Sequence, residues 1–160
     1  MKSIVVLFII IFIAACSSME RSNKVPDRFK KFMDQYFYGY AYEYKDNSVR
    51  GNKNYGEQSA LFTIKKNDLS QDEMGEIYNK LVEGGWRVID TNYKNYTGFC
   101  YGEDFIIDVL FPLKKYEETA SGSPINYTDI NSWNIFIYKS TTKIAECNQD
   151  QNDFIDFTKL

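Results

Sequence analysis

Between residues 4 and 15 apolar side chains follow one another without a polar break, and beyond them the pattern becomes periodic. Residues 17–25 are polar and charged and read as a tether, about nine residues that reach roughly 30 Å when extended. Pro26 and Asp27 suit a helix start, and Phe29, Phe32, Met33, Tyr36 and Phe37 recur at helical spacing, which predicts a short helix over 27–37. Its apolar stripe is expected to dock on the domain; with Lys30 and Lys31 on it, lying along a membrane surface is the other reading. Tyr36, Tyr38, Tyr40, Tyr42 and Tyr44 then fall on alternate positions, the period of a strand, so β structure is predicted over 38–45. Because Tyr36, Tyr40 and Tyr44 would also share a helical face, a helix running on to Lys45 stays open. Residues 46–57, rich in Asn, Gly and charge, read as a loop.

A strand is predicted over 59–66, with Ala60, Phe62 and Ile64 on one face. Ser70 and Glu73 have the spacing of a capping box. Met74, Ile77, Tyr78, Leu81 and Val82 form an amphipathic stripe that Gly84 and Gly85 stop, giving a helix over about 71–83. Residues 86–91 read as a strand, 96–101 and 105–111 as a hairpin turning at 102–104, and Pro112 ends it. The stretch 113–129 reads as a long loop, 133–139 as a last strand, and the rest as a tail. The order of elements predicts an α+β fold: a mostly antiparallel sheet with the 71–83 helix packed on one face, plus the short N-terminal helix.

The opening stretch has a different logic. Lys2 gives a positive start, the apolar run is far shorter than the roughly 20 residues of a bilayer span, and small residues follow it. Ile13-Ala14-Ala15-Cys16 resembles the lipobox of bacterial lipoproteins. The resemblance implies cleavage after a signal peptide of residues 1–15, a diacylglycerol on the Cys16 sulfur, and acylation of the new amino terminus. Cys16 would then be the lipid attachment site, at the head of a tether over 16–25 and a single domain over 26–160. With Ser17 and Ser18 in place of aspartate, the resemblance also implies an outer-membrane protein that faces the periplasm. Two or three acyl chains anchor stably where one is marginal.

Charge and cysteines narrow the picture further. The net charge of −3 becomes −4 once Lys2 is removed, and no lysine and arginine run exists to hold phosphate backbones, so nucleic acid is not an expected partner. Beside Cys16 only Cys100 and Cys147 remain, an even pair that reads as a disulfide in an exported protein; two reduced thiols are the alternative. The chain contains no histidine. That excludes Ser-His-Asp and Cys-His nucleophiles, histidine bases and HExxH zinc sites. No cofactor and no metal is expected.

Carboxylates are the catalytic material left. Glu103 and Asp104 at the hairpin tip, with Asp108 along the strand, could serve a hydrolase if two acids faced each other about 5–9 Å apart, but turns favour acids for solvation alone. Glu117 and Glu118 sit beside Lys114 and Lys115 in a polar loop. Asp150, Asp153 and Asp156 lack the alternate spacing and glycine of a calcium loop. The thirteen tyrosines say more. A row made of Tyr38, Tyr40, Tyr42 and Tyr44 offers broad contact area at low entropic cost and suits a partner or a sugar ring, or else forms one layer of the core. The resulting expectation is a lipid-anchored, non-enzymatic envelope protein that binds a protein partner, in an accessory or immunity role. A glycan or peptidoglycan binder is the alternative, and a carboxylate hydrolase the third reading. The succession of strand, helix, Gly85-Trp86 and Val88 is similar to the helix-grip modules of an accessory lipoprotein of the outer-membrane barrel-assembly machine. Many α+β domains share that pattern, and no function is carried over from it.

Overall fold

The computed structural model describes residues 24–48, 56–89, 95–118 and 124–148. The signal segment, Cys16, most of the tether and the tail with Asp150, Asp153 and Asp156 lie outside the described residues, as do the end of the strand expected over 86–91 and part of the loop expected over 113–129.

Helix α1 spans Asp27–Tyr36 and helix α2 spans Gln71–Glu83. In α2 the Glu73 N–H donates to Ser70 Oγ at 3.2 Å while the Glu73 carboxylate accepts from Ser70 N–H at 2.8 Å, so the reciprocal box predicted from the sequence is formed. At the other end Gly84 N–H donates to the Lys80 carbonyl and Gly85 takes φ 89°, a conformation that favours glycine, which turns the chain out of the helix. Strands β1 (Glu43–Asp46), β2 (Gln58–Lys65), β3 (Arg87–Ile89), β4 (Tyr96–Tyr101), β5 (Phe105–Leu110) and β8 (Ser132–Lys139) form one antiparallel sheet in the order β1-β2-β8-β5-β4-β3. Two short strands, β6 (Tyr116–Glu118) and β7 (Pro124–Asn126), pair with each other as a separate hairpin. The fold is α+β and mostly sheet.

Alternation along the central strands creates the core. Ala60, Phe62 and Ile64 of β2 stand opposite Ile137, Ile135 and Trp133 of β8, and Ile107 and Val109 of β5 stand opposite Ile137 and Ile135 in turn. All eight side chains are buried. Both long helices cover this face. Phe29, Phe32, Met33 and Tyr36 of α1 and Met74, Ile77 and Leu81 of α2 belong to the same buried cluster. The α1 stripe therefore docks on the domain. Trp86 precedes β3 and wedges between Phe32, Tyr101 and Phe105, with ring centroids 5.1–5.4 Å apart. Buried Trp133 ties sheet to helix, because its indole N–H donates to the Leu69 carbonyl at 2.8 Å just before α2.

A third, four-residue helix, α3 (Ala145–Asn148), lies against the opposite face of the sheet. Here a second small cluster joins Cys100, Ile106 and Cys147 with the partly buried Ile89, Tyr138 and Ile144.

The stretch after α1 departs from the expected pattern. Helix α1 stops at Tyr36, where Phe37 N–H donates to the Met33 carbonyl, and Gly39 at φ 91° turns the chain. The strand starts only at Glu43, so neither a strand over 38–45 nor a helix running on to Lys45 is present. The expected loop over 113–129 likewise contains β6 and β7.

Candidate functional site

The tyrosine segment is divided between surface and core. Tyr38 stands at the turn with 85% of its surface exposed. Tyr40, Tyr42 and Tyr44 are half-buried against the main core, and the Tyr42 and Tyr44 rings sit 5.3 and 5.4 Å from that of Phe62. The Tyr40 hydroxyl donates to Glu73 at 3.3 Å, which joins the segment to the α2 cap. A flat row of four rings on one strand face is thus replaced by one projecting ring and three that brace the edge of the core.

Cys100 and Cys147 are joined, with S–S 2.01 Å, and lie 47 residues apart in sequence. The bridge fastens α3 to β4, and several hydrogen bonds share the task. The Arg87 guanidinium donates to the Cys147 carbonyl, Ile144 N–H donates to the Glu103 carbonyl at 2.7 Å, and Asn148 Nδ2 donates to the same carbonyl at 3.2 Å.

Beside this bridge sits a polar pair of which the sequence singled out Asp108, as a candidate acid, but not Tyr96. Asp108 of β5 faces Gly98 of β4 in register, and the Tyr96 hydroxyl donates to Asp108 Oδ1 at 2.5 Å. Glycine leaves the room they need. A β-carbon at position 98 would come within 3.1 Å of Ile89 Cδ1 and 3.3 Å of both Asp108 Oδ1 and the Tyr96 hydroxyl. A glycine inside a predicted strand was the visible signal that two side chains approach here. Burial raises the Asp108 carboxyl above its ordinary range, the Tyr96 hydroxyl offsets part of that rise, and the negative charge of Glu146 adds to it. Burial also raises the Tyr96 hydroxyl, and the charge of Asp108 adds to the effect.

The sign of the stability effect follows. A carboxyl whose folded pKa lies above its unfolded value of 3.8 holds its proton more tightly when folded. Its contribution to folding is complete below that value and is lost as pH rises through the raised one, so the charged form is unfavourable at neutral pH. Asp108→Asn keeps an acceptor for Tyr96 and removes the charge. Its expected result is a higher melting temperature than wild type at neutral pH, with the gain gone in acid. Thermal melts across that range check it, and equal melting temperatures at neutral pH would show the charge to be well solvated.

The other acids have evident partners. Glu103 pairs with Lys143 at 2.7 Å and Asp104 pairs with Lys139. Burial would raise the Glu117 carboxyl, but hydrogen bonds from the Leu113 and Lys114 N–H groups, Asn95 and Tyr127 outweigh it and hold the group low. Glu117 thereby organises the turn into β6. Asp129 is drawn down to about 2, first by Lys65 and then by Asn131 N–H and Ser132. Among the described residues no group of three or more metal-binding side chains is gathered to hold an ion, and no helix is long and apolar enough to cross a membrane. No protein-family model, curated protein or solved structure matches the chain.

Proposed function

We propose that the chain is a lipoprotein anchored through acylated Cys16, probing its surroundings with an α+β domain that binds a protein partner in the cell envelope and carries out no reaction of its own. The anchoring half of this reading rests on Ile13-Ala14-Ala15-Cys16 behind a short apolar run. A disulfide between Cys100 and Cys147 supports export to an oxidising compartment, and Ser17-Ser18 supports an outer-membrane position facing the periplasm. The observation that carries the binding half is Tyr38, a large aromatic side chain 85% exposed on a turn whose neighbours are held by the core. A rigidly presented tyrosine is the kind of anchor that interfaces favour, because few rotamers are lost on binding. A small anchored binder of this kind suits accessory service in envelope assembly or occlusion of a toxin that reaches the periplasm.

Two substitutions separate the halves. Cys16→Ser is expected to abolish labelling by radioactive palmitate and release a folded domain from the membrane; retention without label would refute the anchor. Tyr38→Ala is the cleaner probe of binding, since Tyr42 and Tyr44 pack on Phe62 and their loss would also weaken the core. Its expected result is the loss of a partner that co-purifies with the wild-type chain from detergent extracts, with the melting temperature unchanged. An unchanged set of partners would sink the site. Binding of purified sacculus by wild type but not by Tyr38→Ala would instead establish the glycan reading.

A further inference from the structure

One short turn of the molecule is apolar and basic together, and it is rooted in the core. β5 ends at Leu110, where it pairs with Asn134 of β8, and the chain then runs through Phe111 and Pro112 into the turn that opens β6. The Phe111 ring packs on Trp133 with centroids 4.5 Å apart, and the Lys66 ammonium lies 3.7 Å over the Phe111 ring and donates to the Pro112 carbonyl. Beyond this root the Glu117 carboxylate takes the N–H groups of Leu113 and Lys114 at 2.8 and 3.1 Å, and the Lys115 carbonyl accepts from Tyr127 N–H at 3.0 Å. The backbone of the turn is thus fixed while its side chains stay outside.

Those side chains are Leu113, Lys114, Lys115 and Tyr116, all exposed. Leu113 shows 67% of its surface and Tyr116 64%, more than any other large apolar side chain among the described residues except Tyr38. Neither lysine forms an ion pair among the described residues. The Lys115 ammonium lies over the Tyr116 ring at 5.5 Å. Alternation in β6 turns Glu117 inward, and Glu118, exposed again, ends the apolar and basic run.

We propose that this turn is a second membrane contact. It dips into the bilayer that holds the lipid anchor, with Leu113 and Tyr116 at the boundary between headgroups and acyl chains and Lys114 and Lys115 against anionic headgroups. The contact presupposes the anchor at Cys16 proposed above. Composition and size favour a lipid surface over a protein one. Lysine is depleted at protein interfaces, whereas at a membrane its stem lies along apolar surface while the ammonium stays with the headgroups, and tyrosine is enriched at that level. Four residues on a projecting turn fall far short of the roughly 800 Å² that each side of a stable protein interface buries. An anchored chain needs less, because the tether holds the turn at high effective concentration near the bilayer. Reach permits it: the tether extends roughly 30 Å, against about 27 Å for the eight residues of β2 or β8, so this end of the sheet can meet the surface from which the tether rises. The contact orients the domain rather than holding it. The β4–β5 turn with Glu103 and Asp104, at the opposite end of β5, then points away from the anionic surface.

Full-length Leu113→Cys carrying a thiol-linked, environment-sensitive fluorophore tests the contact. With Cys100 and Cys147 bridged and Cys16 acylated, the new cysteine is the reactive thiol. The labelled chain is reconstituted into phosphatidylethanolamine vesicles that contain phosphatidylglycerol and is recovered by flotation. Brominated acyl chains should quench the probe at 113 several-fold more than a probe on Asn79→Cys, an exposed position of α2. Adding Lys114→Glu and Lys115→Glu should bring the quenching down to that of the control while the chain still floats. A floating chain whose probe at 113 stays in water would overturn the contact and leave the anchor standing, and a chain that does not float would overturn both. Equal quenching in vesicles of phosphatidylcholine alone would overturn the assignment to anionic headgroups. Photo-cross-linking from position 113 in native membranes should yield phospholipid adducts, and a polypeptide adduct in their place would overturn the proposal in favour of a protein partner.

Discussion

Cys147→Ser is expected to lower the free energy of unfolding by about 4 kcal/mol, the chain-entropy value for closing a loop of this length. The bridge joins positions 47 residues apart, and the enclosed segment includes β5, β6, β7 and β8. Without it the unfolded chain gains conformations while the folded chain retains its sheet. The hydrogen bonds from Arg87, Ile144 and Asn148 would still hold α3, but with no covalent tie to β4. Urea titration of wild type, Cys147→Ser and the Cys100→Ser, Cys147→Ser double variant measures the effect. Both variants should unfold at a markedly lower midpoint, and reducing agent should bring wild type toward them. A midpoint unmoved by substitution or by reductant would show that the bridge adds nothing to stability.

Phe62→Ala should do comparable damage from the other face, with a loss of about 3–5 kcal/mol. Phe62 is fully buried at the middle of β2, opposite Ile135 on one side and Tyr44 on the other. Its ring meets Phe29 of α1 edge-on at 6.4 Å and also touches Tyr42 and Tyr44. Truncation therefore opens a cavity where three elements meet, and neighbours held by their own backbones can fill it only in part. Against the total of about 5–15 kcal/mol that is usual for a domain, the variant should be close to unfolding at body temperature. Phe62→Leu, which keeps most of the volume, should cost clearly less. Calorimetric melts of the three proteins give the ranking, and equal losses for Ala and Leu would mean that ring contacts rather than filled volume matter at this position.

Elements whose signals are local were legible in the sequence. Ser70 with Glu73, the stripe from Met74 to Leu81 and the Gly84-Gly85 stop are contained within sixteen residues, and α2 forms over Gln71–Glu83 as they specify. The hairpin of β4 and β5 and the strand β8 were legible for the same reason, since alternation and turn residues are short-range properties. The tyrosine segment was not, because a period of two in sequence does not require an extended backbone. Tyr36 closes a helix, Tyr38 stands on a turn, and Tyr44 alone of the row lies in a strand. Strands β6 and β7 escaped notice because three residues carry no periodicity and their hairpin is tied to a turn organised by the Glu117 carboxylate, a tertiary feature. The Tyr96 and Asp108 pair needed the register of β4 against β5 to bring the two side chains together. Cysteine arithmetic found the bridge, but the small helix it fastens had no sequence signature of its own.

The place of β8 between β2 and β5 also sets the order in which the chain can assemble. The last long strand to be made is a central one, joining a half that holds β1 and β2 to a half that holds β3, β4 and β5. Any nascent chain that ends before Ser132 has two sheet fragments with no ladder between them. Loop closure over such separations is slow compared with hairpin formation. Assembly of the large sheet therefore waits until Ser132–Lys139 has been made.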